Sequence, residues 1–229
     1  MIKAPIFYPL TYPQKAIWYT EKFYPGTGVA NIVSTMRLRK GLDFNALEQA
    51  INYVIKYNDG LRLRILEDVL GLRQYVAPYQ NHRLKFIDFS SQGGWKTFLQ
   101  WLNEDGNIPF KSIDSDLFEF VLYKIGEGDG GFYVKTHHAI ADAWSMILIG
   151  NQINDFYFKI KAGAEPDDPN FPSYLDYIEL ERQYEQSEEF RVNREFWNNK
   201  FATVPEPTSL RPANIAFGSC ESKRKSFAL

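Results

Sequence analysis

Cysteine is all but missing. A single thiol, Cys220, stands among 229 residues. That excludes an internal disulfide framework and any zinc site built on cysteines. Histidine is nearly as scarce, at three residues. Neither charge is in excess: 28 acidic side chains face 26 basic ones, for a formal charge of -2 and a pI near 6.0. A binder of nucleic acid or of an anionic membrane surface would carry a basic excess, so both partner classes are set aside. No apolar run comes near the roughly 18–20 residues of a membrane helix. The opening Met1-Ile2-Lys3-Ala4-Pro5 has no apolar signal core. No Walker P-loop and no Gly-x-Ser-x-Gly elbow occur, so nucleotide-hydrolase and serine-hydrolase readings lose their main support. What is left is a cytoplasmic globular protein.

Aromatic residues are plentiful. Phe 18, Tyr 14 and Trp 5 make 16% of the chain, and large rings supply much buried area per residue. The length admits one large domain or two small ones. Thr11-Tyr12-Pro13-Gln14 has the form of a capping box and predicts a helix to about Phe23. Alternation predicts a strand over Ile32–Arg39. Asp43 caps a second helix carrying Leu47, Ala50, Ile51, Val54 and Ile55 at helical spacing. Strands are predicted at Leu61–Ile65, Leu72–Ala77 and Lys85–Phe89, and a helix from Trp95 to near Gly106. Leu117–Ile125 and Phe132–His138 read as a hairpin around the acidic, glycine-rich segment Gly126–Gly131. A helix then runs from Asp142 to about Ile160. One or two charged helices follow over Tyr174–Phe201, with a break near Ser187. A loop over 202–219 and the beginning of a strand at Ser226–Leu229 end the chain. Helices and strands interleave without a strict repeat, which predicts an α/β or α+β protein with a mixed β-sheet flanked by helices.

Gly126-x-Gly128-x-x-Gly131 matches the dinucleotide fingerprint in form only. A phosphate loop needs a helix after it, whereas a strand follows here, and Glu127 and Asp129 would repel phosphate. The informative segment is Thr136-His137-His138-Ala139-Ile140-Ala141-Asp142-Ala143-Trp144-Ser145. Two of the three histidines adjoin each other at a strand end. Neighbours in a strand point to opposite faces, so the two rings face one cavity only where the strand ends early. One suits catalysis and the other structure. The same alternation works against a metal site built from His137, His138 and Asp142, and none is expected. Asp142 is favoured at a helix start by the dipole. Ser145 has no elbow to make it a nucleophile.

This segment resembles the His-His-x-x-x-Asp-Gly signature of the condensation domains of nonribosomal peptide synthetases, within the chloramphenicol acetyltransferase-like acyltransferases. Three further blocks occur in the order the family has them. Leu10–Trp18 is similar to its opening block, Asn58–Ile65 to its His-Glu-x-Leu-Arg-x-x-Phe block, and Ser173–Tyr177 with Phe196-Trp197 to its fourth. The signature glycine is Ala143 here, a change that alters backbone geometry or narrows a ligand's approach to the helix start.

The resemblance implies a chloramphenicol acetyltransferase-like α/β sandwich fold. It implies that residues 1–229 are the N-terminal lobe of a two-lobed domain, with the second lobe outside this chain and the isolated lobe inactive. The implied activity is acyl transfer in secondary metabolism such as antibiotic biosynthesis. An amine on an acceptor aminoacyl thioester attacks a donor acyl or peptidyl thioester, and an amide forms. His138 is the implied catalytic residue, as general base or as the group that orients the amine. His137, Asp142, Arg62 and Ala143 are implied as support, with Asp142 paired to Arg62 or, second, Arg64. No cofactor is expected on the domain itself, because phosphopantetheine arrives on the carriers. The implied partners are donor and acceptor peptidyl carrier proteins, the C-terminal lobe and an adjacent adenylation domain. Two alternatives stay open: a non-catalytic lobe that binds a carrier or partner, and an acyl-starter or epimerisation variant.

Overall fold

The computed structural model describes residues 5–39, 41–91 and 93–205. Cys220, most of the expected loop over 202–219 and the strand expected at Ser226–Leu229 lie outside these. The chain divides into two compact units, 1–174 and 175–229.

In the first unit, β1 (Tyr8–Pro9) leads into α1 (Tyr12–Phe23), β2 (Asn31–Arg39) and α2 (Phe44–Tyr57). The strands β3 (Leu63–Asp68), β4 (Gly71–Val76) and β5 (Lys85–Asp88) follow. Next come α3 (Trp95–Gly106), β6 (Phe118–Gly126), β7 (Asp129–His137) and α4 (Ala143–Lys161). Two sheets form instead of one. β1-β4-β3 is antiparallel, while β2-β7-β6-β5 is mixed, with β5 parallel to β6. The expected mixed sheet is therefore the second of them.

Local signals built the helices. Thr11 accepts from the Gln14 N–H while the Gln14 side chain accepts back from Thr11, completing the capping box. Asp43 caps α2 through the Ala46 N–H. Two expectations need correction. Asp59–Arg62 form a 3₁₀ turn and β3 starts only at Leu63, so Arg62 and Arg64 do not share a strand face. The β6–β7 connection is also tighter than Gly126–Gly131. It closes over Glu127-Gly128, with Gly128 at φ +63, and Gly130 and Gly131 belong to β7. Their bare backbones are required there: a Cβ on Gly131 would lie 1.9 Å from the Met36 carbonyl oxygen.

The mixed sheet has a core on each face. On one side Phe120, Leu122, Phe132 and Val134 pack with Leu47, Ile51, Val54, Ile55, Ile149, Ile153 and Phe156 from α2 and α4. On the other, Val121, Tyr123 and Tyr133 pack with Phe89 and with Phe98 of α3. The Phe98 and Tyr123 rings stack at 3.9 Å.

α5 (Tyr174–Glu185) starts on the last residue of the first unit; the rest of it and α6 (Glu188–Lys200), separated at Ser187, belong to the second. Ser187 caps α6 by accepting from the Phe190 N–H at 3.1 Å. The Tyr184 and Phe190 rings meet edge to face across that break. No described helix is long and apolar enough to cross a membrane.

Candidate active site

β7 ends at His137, one residue earlier than the sequence suggests, and this sorts the two histidines. His137 is fully buried. Its Nδ1 accepts the Ala139 N–H at 3.1 Å. His138 falls in the turn that follows and is exposed. No hydrogen bond of its imidazole is present among the described residues.

The backbone of that turn is held at several points. The His137 N–H donates to Leu117 O at 2.8 Å, the His138 N–H to Ala30 O at 2.7 Å, and the Ile140 N–H to His137 O at 3.0 Å. Ala139 O accepts from Gln14 Nε2 at 3.1 Å. Gln14 forms a reciprocal amide pair with Gln74, 2.8 Å in each direction, and both are buried. A free imidazole therefore sits on a fixed backbone, an arrangement suited to a group that must meet a substrate.

Asp142 is exposed and caps α4. Its Oδ1 accepts from the Ser145 N–H at 2.8 Å and from the Ser145 hydroxyl at 2.7 Å. These bonds, with a smaller contribution from His138 nearby, hold its carboxyl below the usual aspartate range. The expected pairing with arginine does not occur among the described residues. Arg62 donates to Ala77 O at 2.9 Å, and burial pulls its guanidinium down, against the attraction of Asp59. Arg64 pairs with Asp116 at 2.8 Å. The cause is the 3₁₀ turn, which takes Arg62 off the strand.

Ala143 is the first residue of α4 and its φ is not in the left-handed region. Alanine therefore strains nothing here. Its methyl instead lines a cavity of about 430 Å³ between β2 and α4, with Ile32, Met36, Phe132, Val134, Met146 and Ile147.

The other sequence blocks converge. Asp59 of the second block accepts from the Tyr174 N–H at 2.8 Å and from the Ser173 hydroxyl, both of the fourth block. The Tyr174 hydroxyl lies 3.4 Å from Thr11 Oγ1 of the opening block. Glu21 also reaches His137, and Gln74 supports the turn through Gln14; their distance along the chain left no trace in periodicity or motif. Among the described residues no cluster of three metal-ligating side chains forms.

The condensation-domain family model matches residues 6–229. Surfactin synthase subunit 1 of Bacillus subtilis (strain 168) is 38% identical over 222 residues, covering 95% of this chain and 6% of that protein. One plipastatin synthase subunit of the same organism is 38% identical over 205 residues, covering 89% of this chain and 8% of that protein. Among solved structures, the starter condensation domain of rhizomide synthetase superposes with a TM-score of 0.80 at 26% identity, covering 88% of this chain and 49% of that one. A variant of that domain was solved with C8-CoA. The chain thus spans about half the length of the solved domain and under a tenth of the two synthetase subunits. The fold is the chloramphenicol acetyltransferase-like one that the sequence implied. This chain belongs to the condensation-domain family of nonribosomal peptide synthetases.

Proposed function

We propose that the chain is the N-terminal lobe of a condensation domain that joins two carrier-bound acyl groups. The observation that carries this is His138: an exposed imidazole on a turn whose backbone is held by Leu117, Ala30, His137 and Gln14. The acceptor amine attacks the donor thioester carbonyl, a C–N bond forms and the C–S bond breaks. His138 takes the proton that the amine loses and returns it to the departing thiolate, a role worth roughly 10²–10⁴-fold. His137, Asp142, Arg62 and Ala143 shape the surroundings without touching the reacting atoms. The phosphopantetheine arms come from donor and acceptor peptidyl carrier proteins, so the lobe holds no cofactor of its own. The C-terminal lobe completes the site, an adenylation domain lies beside it, and the isolated lobe is inactive.

Intact-mass measurement of the carrier-bound product tests this in the two-lobed domain. Wild type extends the acceptor and His138→Ala does not. Unchanged extension by His138→Ala would overturn the assignment.

The cavity beside Ala143 favours a second reading. Aliphatic and aromatic side chains make up most of its lining, which suits a fatty-acyl donor and hence chain initiation. Loading the donor side with an acyl chain in place of an aminoacyl group, and weighing the product, separates initiation from elongation.

A further inference from the structure

Glu21, in the last turn of α1, is placed by nothing in the motif blocks, yet it faces the signature turn from behind. Its side chain is only 14% exposed, and its Oε2 lies 3.4 Å from Nε2 of the buried His137. Ser112 Oγ sits 3.0 and 2.9 Å from the two carboxylate oxygens. Burial pushes this carboxyl up, but His137, Ser112 and Lys22 more than offset it, and it stays ionised below the usual glutamate range.

The imidazole has a donor on one side and a carboxylate on the other. Because Nδ1 accepts the Ala139 N–H, the ring proton belongs on Nε2. The opposite tautomer would set Nδ1–H against the Ala139 N–H and an Nε2 lone pair against the Glu21 carboxylate. Both contacts are repulsive. Nε2 has no aligned hydrogen bond; an acceptor oxygen 3.4 Å away favours the proton on that side all the same. The Phe110 ring, which meets the imidazole edge to face at 6.1 Å, offers no competing polar group.

We infer that Glu21 is a positioning residue of the condensation site. It selects the Nε2–H tautomer of His137, which secures the Ala139 N–H and thereby the turn that presents His138. Its catalytic consequence rests on the proposed condensation chemistry; its effect on His137 does not.

Two readouts keep these apart. Long-range proton–nitrogen NMR spectra of the 229-residue chain report the His137 tautomer at neutral pH, and amide exchange reports Ala139. Condensation kinetics in the two-lobed domain report kcat and KM separately. Glu21→Ala is expected to give mixed His137 tautomers, faster exchange at Ala139 and a kcat lower by about 10–100-fold, with KM unchanged. Glu21→Gln, whose amide oxygen still accepts, is expected to keep the tautomer and most of kcat. A single Nε2–H tautomer retained in Glu21→Ala, or equal loss in both variants, would overturn the inference. If Glu21→Ala does not fold, Ser112→Ala replaces it. That variant keeps the acceptor but loosens it, so faster exchange at Ala139 and a partial loss of kcat are expected, and neither of them changing overturns the assignment. If His138→Ala condenses normally while the Glu21→Ala tautomers mix, the condensation reading has failed and the Glu21–His137 link stands.

Discussion

The two faces of β7 are built on different physics. Phe132, Val134 and Thr136 look toward α2 and α4 into an ordinary apolar core, where the Thr136 hydroxyl donates to the Met146 sulfur at 3.4 Å. Tyr133, Lys135 and His137 look the other way into a buried polar layer. Lys135 Nζ lies 3.0 Å from both Asp105 Oδ2 and Glu119 Oε2. The Tyr133 hydroxyl donates to Asp105 at 2.8 Å, and burial, reinforced by that carboxylate, pushes its ionisation far up. His137 faces Glu21. Apolar burial is non-directional and tolerates repacking, whereas a buried charge demands a partner in place. The polar face, through His137, therefore helps fix the geometry of the signature turn, and the apolar face is left to shape the cavity.

The largest expected effect separates the two histidines at the end of this strand. His138→Ala should lower the condensation rate by roughly 10²–10⁴-fold while changing stability by less than about 0.5 kcal/mol, since its ring is exposed. His137→Ala should do the reverse in stability. It removes a fully buried ring and orphans the Ala139 N–H, at about 2–4 kcal/mol. Urea unfolding of both variants checks the contrast, and equal destabilisation would erase it.

Lys135→Met tests the polar face directly. It leaves Asp105 buried without its cation and should cost about 3–5 kcal/mol in urea unfolding. Adding Asp105→Asn removes the stranded charge but keeps an acceptor for Tyr133, so the double variant should regain much of that loss. If it regains nothing, the layer is stabilised by shape and not by charge pairing. Next in size, Asp142→Ala should cost about 1 kcal/mol as a lost N-cap. Asp142→Asn caps equally well and should cost almost nothing. An aspartate held in an arginine ion pair would fail in both variants, so the pair of measurements distinguishes the observed cap from the expected Arg62 partner.

What could be read from the sequence was local. The caps at Thr11 and Asp43, the break near Ser187 and the β6–β7 hairpin each depend on residues within a few positions of one another, and all were legible. The His-His segment was legible as the end of a strand before a helix. Which ring would be buried was not, since that turned on the strand stopping at His137. Arg62 was misplaced because a single 3₁₀ turn replaces the start of a strand, and no periodicity marks four residues. Glu21, Gln74 and Lys135 owe their roles to partners 116, 60 and 30 residues away. Such contacts exist only after the sheet has paired, and spacing along the chain carries no trace of them.

The smallest effect belongs to Ala143, where the apolar face meets the signature. The residue is helical, so glycine is not needed for its backbone, and Ala143→Gly should cost no more than about 0.5–1 kcal/mol of helix stability. What changes is the cavity wall. Removing one methyl beside Met146 and Ile147 widens the space between α4 and β2. If donor acyl groups enter there, their relative rates should shift toward bulkier chains. One methylene in an apolar pocket is worth about 1–3 kcal/mol, so the shift should be about tenfold or more. Competition between two donors of different chain length, read by product mass, measures it. An unchanged preference would mean that the acyl group does not pass Ala143. The apolar face of β7 would then serve only to pack, and the whole chemistry of the site would rest on the polar one.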